Sequence, residues 1–516
     1  MPARREHMWL IAFIGFILLL LSLPYVYAVY ISDSFQSFGG FLLNPIDGNS
    51  YLAKMRQGFD GAWAFTLPYT AQPGDPAPIN LYYIFLGHLA RWLHFPLILV
   101  FHLARLAGAA ALLLALYHFC SRIFEDLRTR WLALGLTSLG SGLGWLALAF
   151  GNFTPDFWVA EAYPFLASYA NPHFALGLAL QVFLLTPLRQ SGLFTWQPRA
   201  IYFLASALIS LVYPFGFAVV GIVLFLDVAW RLIRRVPFRA QGERLLAVGV
   251  GGGPYALYAL LLVNTHPVLS QWNAQNLTAT PHLLDLVLAF SPALLLALGG
   301  GYLALRRRSS EYTLLVAWVA SAFILIFVPI NLQRRLLSGL FIPLGLLASF
   351  AVQSLTRNWR RWAWLPIVLI MLSLSTNTII LLAGINAIRT HDSAIYISSD
   401  ELEAFAWLEE NAAPGALVLA APETSNLLPA YSQTKVVYGH PFETVNAAQQ
   451  LNLITAFFSL GLRDWQSEPA IGALLDRADY IFYGPRERAI GSLPDLEAWV
   501  PAFEQGAVLI LESTRQ

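Results

Sequence analysis

The residues of this chain that could do chemistry are a few ionisable groups set in long apolar surroundings. Asp47 stands in the stretch from Asn44 to Phe65, "NPIDGNSYLAKMRQGFDGAWAF". A carboxylate there can serve as a general base or a metal ligand, or it can cap a helix start by accepting backbone N–H bonds. Tyr51, Lys54 and Arg56 follow on one short amphipathic helix that ends near Gly58, a helix expected to lie on a membrane surface, and all three could touch a substrate. The aromatic stretch from Pro78 to Pro96 adds Tyr83. Arg105 lies about ten residues into the next apolar run, roughly 10–15 Å deep at about 1.5 Å per residue. Charge at that depth costs at least about 2.5–3.5 kcal/mol on insertion scales, so Arg105 pairs with a carboxylate, holds an anion or snorkels. His102, one turn earlier, reads as a satisfied core histidine.

Glu161 sits among aromatic residues in "GNFTPDFWVAEAYPFLASYANPHF", which also holds Asp156. Burial would suit Glu161 to proton transfer, and the alternative is an ordinary loop carboxylate. His173 opens the next apolar run, where it either bonds a phosphate or caps the helix. "NTHPVLSQWNAQN" reads as a polar loop whose amides could meet sugar hydroxyls while Trp272 stacks on a ring face. Arg334 and Arg335 interrupt "VPINLQRRLLSGLFIP" where two apolar runs meet. Guanidinium grips phosphate bidentately and keeps its proton, so the pair suits a lipid-linked phosphate or diphosphate. The alternatives are an interfacial snorkelling pair or an ion pair with a carboxylate of the C-terminal tail.

These residues must be positioned by membrane helices. Of 516 residues 57% are hydrophobic and 12% charged, about half the charged share of a soluble chain. The sequence predicts a polytopic α-helical membrane protein with spans at about 8–30, 95–119, 131–150, 171–188, 199–212, 215–232, 244–263, 282–305, 311–330, 336–353 and 362–388. The fifth and sixth read as a hairpin of two half-length helices meeting at Tyr213-Pro214. The first run, from Met8 to Tyr30, is an anchor and not a cleaved signal peptide, because it has spanning length and lacks a small-residue cleavage site. Arginine clusters set the orientation. Arg4 and Arg5 place the N-terminus inside. Alternation then puts inside the loops with Arg122, Arg128 and Arg130, with Arg189 and Arg199, with Arg231, Arg234, Arg235, Arg239 and Arg244, with Arg306 to Arg308, and with Arg357, Arg360 and Arg361. A long first outer loop, about 31–94, the Arg334-Arg335 corner and the tail fall on the other face. A net charge of +1 without a basic patch gives no reason to expect nucleic acid, and the single cysteine, Cys120, excludes an internal disulfide and a cysteine metal cluster.

Two domains are expected, 1–390 in the membrane and a soluble α/β domain over 391–516. In the tail, "SSDELEAFAWLEENAAPG" reads as a helix capped by Ser398 or Ser399 and stopped at Pro414-Gly415. "ALVLAA", "KVVYG", "DYIFYG" and "AVLILES" read as strands.

An Asp soon after the first span, a surface helix ending in Gly, a proline-led "PAPINLYYIFLG", Arg105 in "HLARLAGAAALL" and the late "NLQRRLLSGLFIPLGLLA" together resemble the GT-C superfamily. These are integral-membrane glycosyltransferases that use polyprenyl-phosphate sugars, among them protein O-mannosyltransferases and lipid A aminoarabinose transferases. The likeness is densest over about 44–120 and 328–350, and the tail resembles extracytoplasmic domains of bacterial members. Two features depart from the pattern. Asp47 is followed by Gly48 and not a second acid, and Ala77-Pro78-Ile79 lacks the phosphate-binding lysine. The resemblance implies an inverting transfer at the extracytoplasmic face of the plasma membrane. The donor would be a polyprenyl-phosphate monosaccharide and the acceptor a glycan, lipid or protein. Asp47 would be the base with Glu161 as second candidate, and Arg334, Arg335, Arg105 and His173 would attend the donor phosphate. No cofactor is expected, and no metal. A lipid or lipid-linked saccharide transporter, and a receptor built on the tail, remain alternatives.

Overall fold

The computed structural model describes residues 2–188, 195–307, 310–358, 360–459, 469–493, 496 and 498–514. Arg189 and Arg308, used above for orientation, lie outside the described residues. The apolar runs fold as helices because, without water, backbone groups must be satisfied within the segment itself. Seven described helices are long and apolar enough to cross a membrane: Arg4–Ile31, Leu97–Ile123, Leu127–Leu148, Pro214–Arg234, Arg239–Thr265, Gln333–Arg357 and Leu365–Arg389. Leu283–Phe290 and Ala293–Arg307 pass the same test only as a pair, bent by 81° between the halves, which is the form of a broken span or of a re-entrant loop. The other three predicted spans form helices of 14, 17 and 16 residues, Pro172–Leu185, Trp196–Val212 and Ser310–Leu325. Fourteen residues reach only about 21 Å, short of a hydrocarbon core of about 30 Å. Pro172 fixes the start of that helix, and Thr186-Pro187 ends it. The hairpin joint falls at Tyr213 as expected, but its second arm is a full-length helix of 21 residues.

The chain divides into two compact units. The first gathers Met1–Pro24, His102–Ala259 and Leu277–Asn386. Its axis is Phe341–Asn358, almost wholly buried against Ala293–Arg307, Leu127–Leu139 and Ser310–Leu325.

The second unit gathers Tyr25–Phe101, Leu260–Asn276 and Ala387–Gln516. Strand β1 (Gln36–Phe38) of the first loop pairs antiparallel with β2 (Tyr396–Ser398) of the tail. A five-stranded sheet follows, built from β3 (Leu417–Leu419), β4 (Lys435–Val436), β5 (Tyr480–Tyr483), β6 (Trp499–Gln505) and β7 (Val508–Ser513), in the order β4-β3-β5-β7-β6. β3 runs parallel to β4 and β5, and β7 antiparallel to β5 and β6. All four residues of β5 are buried. The tail helix starts as expected, with Ser398 and Glu401 exchanging bonds in a capping box ahead of Ser399–Asn411.

One sequence expectation is corrected in this unit. The stretch with Trp272 is not a polar loop. Pro267–Gln275 is a helix, and His266 starts it by accepting the Val268 and Leu269 N–H groups on Nδ1. The helix Pro45–Phe59 is packed on more than one side. More than half of it is buried, including Asn49, Ser50 and Lys54, because Leu81–Leu93 and Pro422–Tyr431 pack against it. The approach to Leu81–Leu93 depends on glycine: a Cβ on Gly58 would stand 2.0 Å from the Ile84 carbonyl oxygen, and one on Gly87 1.9 Å from that of Met55.

Candidate active site

The helix Pro45–Phe59 opens on Asn44, which is in the left-handed region (φ 49) and makes no side-chain cap. Pro45 fixes the first turn, and Asp47 sits within it. The N-cap position of the helix belongs to Asn44 and not to Asp47. Asp47 Oδ2 accepts from Asn44 Nδ2 at 2.6 Å, and its Oδ1 faces His440 Nε2 at 3.0 Å. His440 is 4% exposed and the Asp47 side chain 31%. His440 Nδ1 accepts the N–H groups of Phe442 and Glu443 at 3.1 and 3.2 Å. That assigns the ring proton to Nε2, which donates to Asp47.

One turn further, Lys54 is buried. Its Nζ donates to Glu443 Oε1 at 2.5 Å and to Ser50 Oγ at 2.6 Å, and Ser50 Oγ donates to the same Glu443 oxygen at 2.8 Å. The ammonium also lies 5.1 Å from the centre of the Tyr51 ring and 5.7 Å from that of Phe65. Burial pushes the Glu443 carboxyl up, but the Lys54 charge and the bonds from Lys54 and Ser50 outweigh it and hold the group below its ordinary value. Tyr51 and Tyr83 stack with centroids 4.4 Å apart. Arg56 is bound by Asp60 and Glu409 in a structural ion-pair cluster. Trp272 packs against the Phe65 and Ile84 cluster, so it is not a platform on an open loop.

A cavity of about 590 Å³, mostly carbon-walled, is lined by Asn44, Ile46 and Asn49 around the start of the helix that bears Asp47, and by Asn426, Gly439 and Pro441. Its amides are tied together. Asn49 Nδ2 donates to Asn426 Oδ1 at 2.8 Å, and Asn426 Nδ2 to the Gly439 carbonyl at 2.8 Å. Tyr69 donates to the Asn426 carbonyl from behind, and burial drives its phenol well above the ordinary value.

In the first unit the structure brings together three of the predicted residues. Glu161 is buried, and its Oε1 lies 3.2 Å from Arg335 Nη1 and 4.0 Å from Arg334 Nε. Arg334 also covers the Trp158 ring at 4.7 Å. The Gly339 N–H, in a loop that turns through φ +65, donates to the Glu161 carbonyl at 2.8 Å. The Arg334-Arg335 pair therefore does meet a carboxylate, that of Glu161 in the turn Ala160–Ala162. His173 packs by its ring against Phe174 and Tyr213. Arg105 is buried and donates to main-chain carbonyls of Ser168, Tyr169 and Leu21 and to His102 Nδ1, so oxygens of the backbone compensate its charge. Asp156 is a buried anchor, accepting from Gly142, Gly144, Thr154 and Thr376.

His440 and Glu443 are the site residues that the sequence reading missed. They lie in "YGHPFETV", a stretch without ligand or triad spacing, and 393 residues separate His440 from Asp47. Among the described residues no three of His, Cys, Asp and Glu come together as a metal-ligand set.

No protein-family model and no curated protein matches the sequence. Solved structures do match. An oligosaccharyltransferase of Archaeoglobus fulgidus, in complex with Zn and sulfate, is 14% identical with a TM-score of 0.55, over 91% of this chain and 68% of that one. ArnT from Cupriavidus metallidurans, bound to undecaprenyl phosphate, is 13% identical with a TM-score of 0.52, over 96% and 98%. The mycobacterial arabinofuranosyltransferase AftD is 15% identical with a TM-score of 0.53, over 98% of this chain and 41% of its own. The chain thus has the fold of the GT-C superfamily of integral-membrane glycosyltransferases.

Proposed function

We propose that the chain moves a sugar from a polyprenyl-phosphate-linked donor to an acceptor hydroxyl on the extracytoplasmic side, with inversion. The observation that carries this reading is the Asp47 carboxylate, held through both oxygens and still about a third exposed, in a chain of this fold. Asp47 takes the proton of the acceptor hydroxyl as its oxygen attacks the anomeric carbon. The bond from that carbon to the donor's phosphate oxygen breaks, and its electron pair leaves with the phosphate. Phosphate is a good leaving group, so guanidinium groups suffice to stabilise the charge it gains, and Arg334 and Arg335 have that chemistry. Glu161 is committed to those arginines, which favours Asp47 as base. The undecaprenyl phosphate bound in the ArnT structure supports the donor class.

The test is a transfer assay in membranes with a panel of radiolabelled polyprenyl-phosphate sugars. Wild type should transfer from one or more donors. Asp47→Asn should lower the rate about 10²-fold or more, and Arg334→Ala should weaken use of the donor. Absence of transfer from every donor would leave transport of an anionic lipid as the better reading, which the 81° bend between Leu283–Phe290 and Ala293–Arg307 favours.

A further inference from the structure

We propose that His440, a residue of the C-terminal tail, is a positioning residue for Asp47, and that the tail thereby completes the catalytic site of the first outer loop. The inference rests on the reading of Asp47 as base. Four observations carry it. His440 is 4% exposed, so its ring has one packed orientation. Its Nδ1 is fixed as an acceptor by two backbone N–H groups of its own turn, which leaves Nε2 as the protonated nitrogen. Nε2 then donates to Asp47 Oδ1 at 3.0 Å while Asn44 donates to Oδ2 at 2.6 Å, so the plane of the carboxylate is set from both ends. Finally, the next acid in the turn, Glu443, is anchored to Lys54 and Ser50 of the helix that bears Asp47, which fixes the turn to that helix.

A general base must meet its hydroxyl with a lone pair aligned, and misplacement by about 1 Å can cost about 10²-fold in rate. A carboxylate on the first turn of a helix rotates about two side-chain bonds unless something holds it. The His440 N–H performs that task without taking the proton, because both ring nitrogens are already engaged, Nδ1 with two backbone N–H groups and Nε2 with Asp47.

The experiment uses the full-length chain in membranes, with the donor that wild type transfers. His440→Ala is expected to lower kcat about 10²-fold with KM for the donor little changed. His440→Gln, which can present an N–H near the Nε2 position, is expected to recover most of that loss, to within about tenfold of wild type. Thermal unfolding of both purified variants checks that the tail is folded. A His440→Ala enzyme with wild-type kcat, or a loss that His440→Gln does not repair although the variant is as stable as wild type, overturns the positioning role. If Asp47→Asn is inactive while His440→Ala is fully active, the glycosyltransferase reading stands and the inference falls. If Asp47→Asn is itself fully active, both fall.

Discussion

Lys54 can be buried only because Glu443 answers it. The ammonium is 3% exposed and the carboxylate 13%, and Ser50 bridges them. Removing one partner of such a pair leaves a buried charge uncompensated, a loss of about 3–5 kcal/mol, whereas replacing both by apolar groups can be neutral. Glu443→Gln should therefore destabilise the protein by about that amount in thermal unfolding, and Lys54→Met with Glu443→Leu should regain most of it. The pH dependence has a definite sign. Because the folded carboxyl titrates below its ordinary 4.5, the unfolded chain takes up the proton first as the solution is acidified. The stabilisation is present above about pH 4.5 and fades as pH falls through the lowered folded value. Wild type should show that acid limb and Glu443→Gln should lack it. At this scale the sequence revealed charge in improbable places: Asp47, Arg105, Glu161, Arg334 and Arg335 stand out against apolar neighbours. It did not reveal partners. Glu161 and Arg335 are 174 positions apart and Lys54 and Glu443 389, and no spacing rule spans such distances.

Among the elements, the close pair Pro45–Phe59 and Leu81–Leu93 is where a single methyl group decides most. Gly87→Ala puts a Cβ against the Met55 carbonyl, a backbone atom that cannot swing aside. Overpacking of this kind costs about 1–3 kcal/mol, and here it would also shift the helix that carries Asp47. Gly135→Ala is the control, a glycine in Leu127–Leu139 whose added methyl meets nothing within 4 Å. It should be neutral or stabilising by about 0.4–1 kcal/mol through the unfolded chain. Thermal unfolding of the two variants separates the cases, and Gly87→Ala should lose sugar transfer as well. Element types were largely legible, since spans are written in hydropathy and the strands β3, β5 and β7 in apolar runs. Two of the elements that were not read show the physical reasons. β6 contains Pro501 and exposed polar residues, which an edge strand tolerates and a sequence pattern penalises. Pro267–Gln275 is started by a histidine, where the usual cap is Ser, Thr, Asp or Asn.

For the whole molecule the open quantity is parity. The eleven crossings expected from the sequence would place the N-terminus inside and the tail outside, the orientation expected from the arginine clusters. If the 14-residue helix Pro172–Leu185 failed to cross, every later loop would change sides. Its residues oppose that outcome: it has no charged side chain, and it packs against Trp196–Val212 and Pro214–Arg234, which cover much of it. A helix surrounded by protein need not match the bilayer by itself, because local thinning costs only fractions of a kcal/mol per Å. Cysteine labelling decides the matter, because Cys120 is buried and is the chain's one cysteine. In a Cys120→Ser background, single cysteines at the exposed positions Glu125, Arg235 and Ser393 should be treated in intact cells with a membrane-impermeant maleimide. Eleven crossings require labelling at Ser393→Cys alone, with Glu125→Cys and Arg235→Cys reached only after the cells are opened. Ten crossings, with Pro172–Leu185 held on the outer side, would instead expose Arg235→Cys and hide Ser393→Cys. That result would put the tail, and His440 with it, in the cytoplasm, where an extracytoplasmic acceptor could not be served.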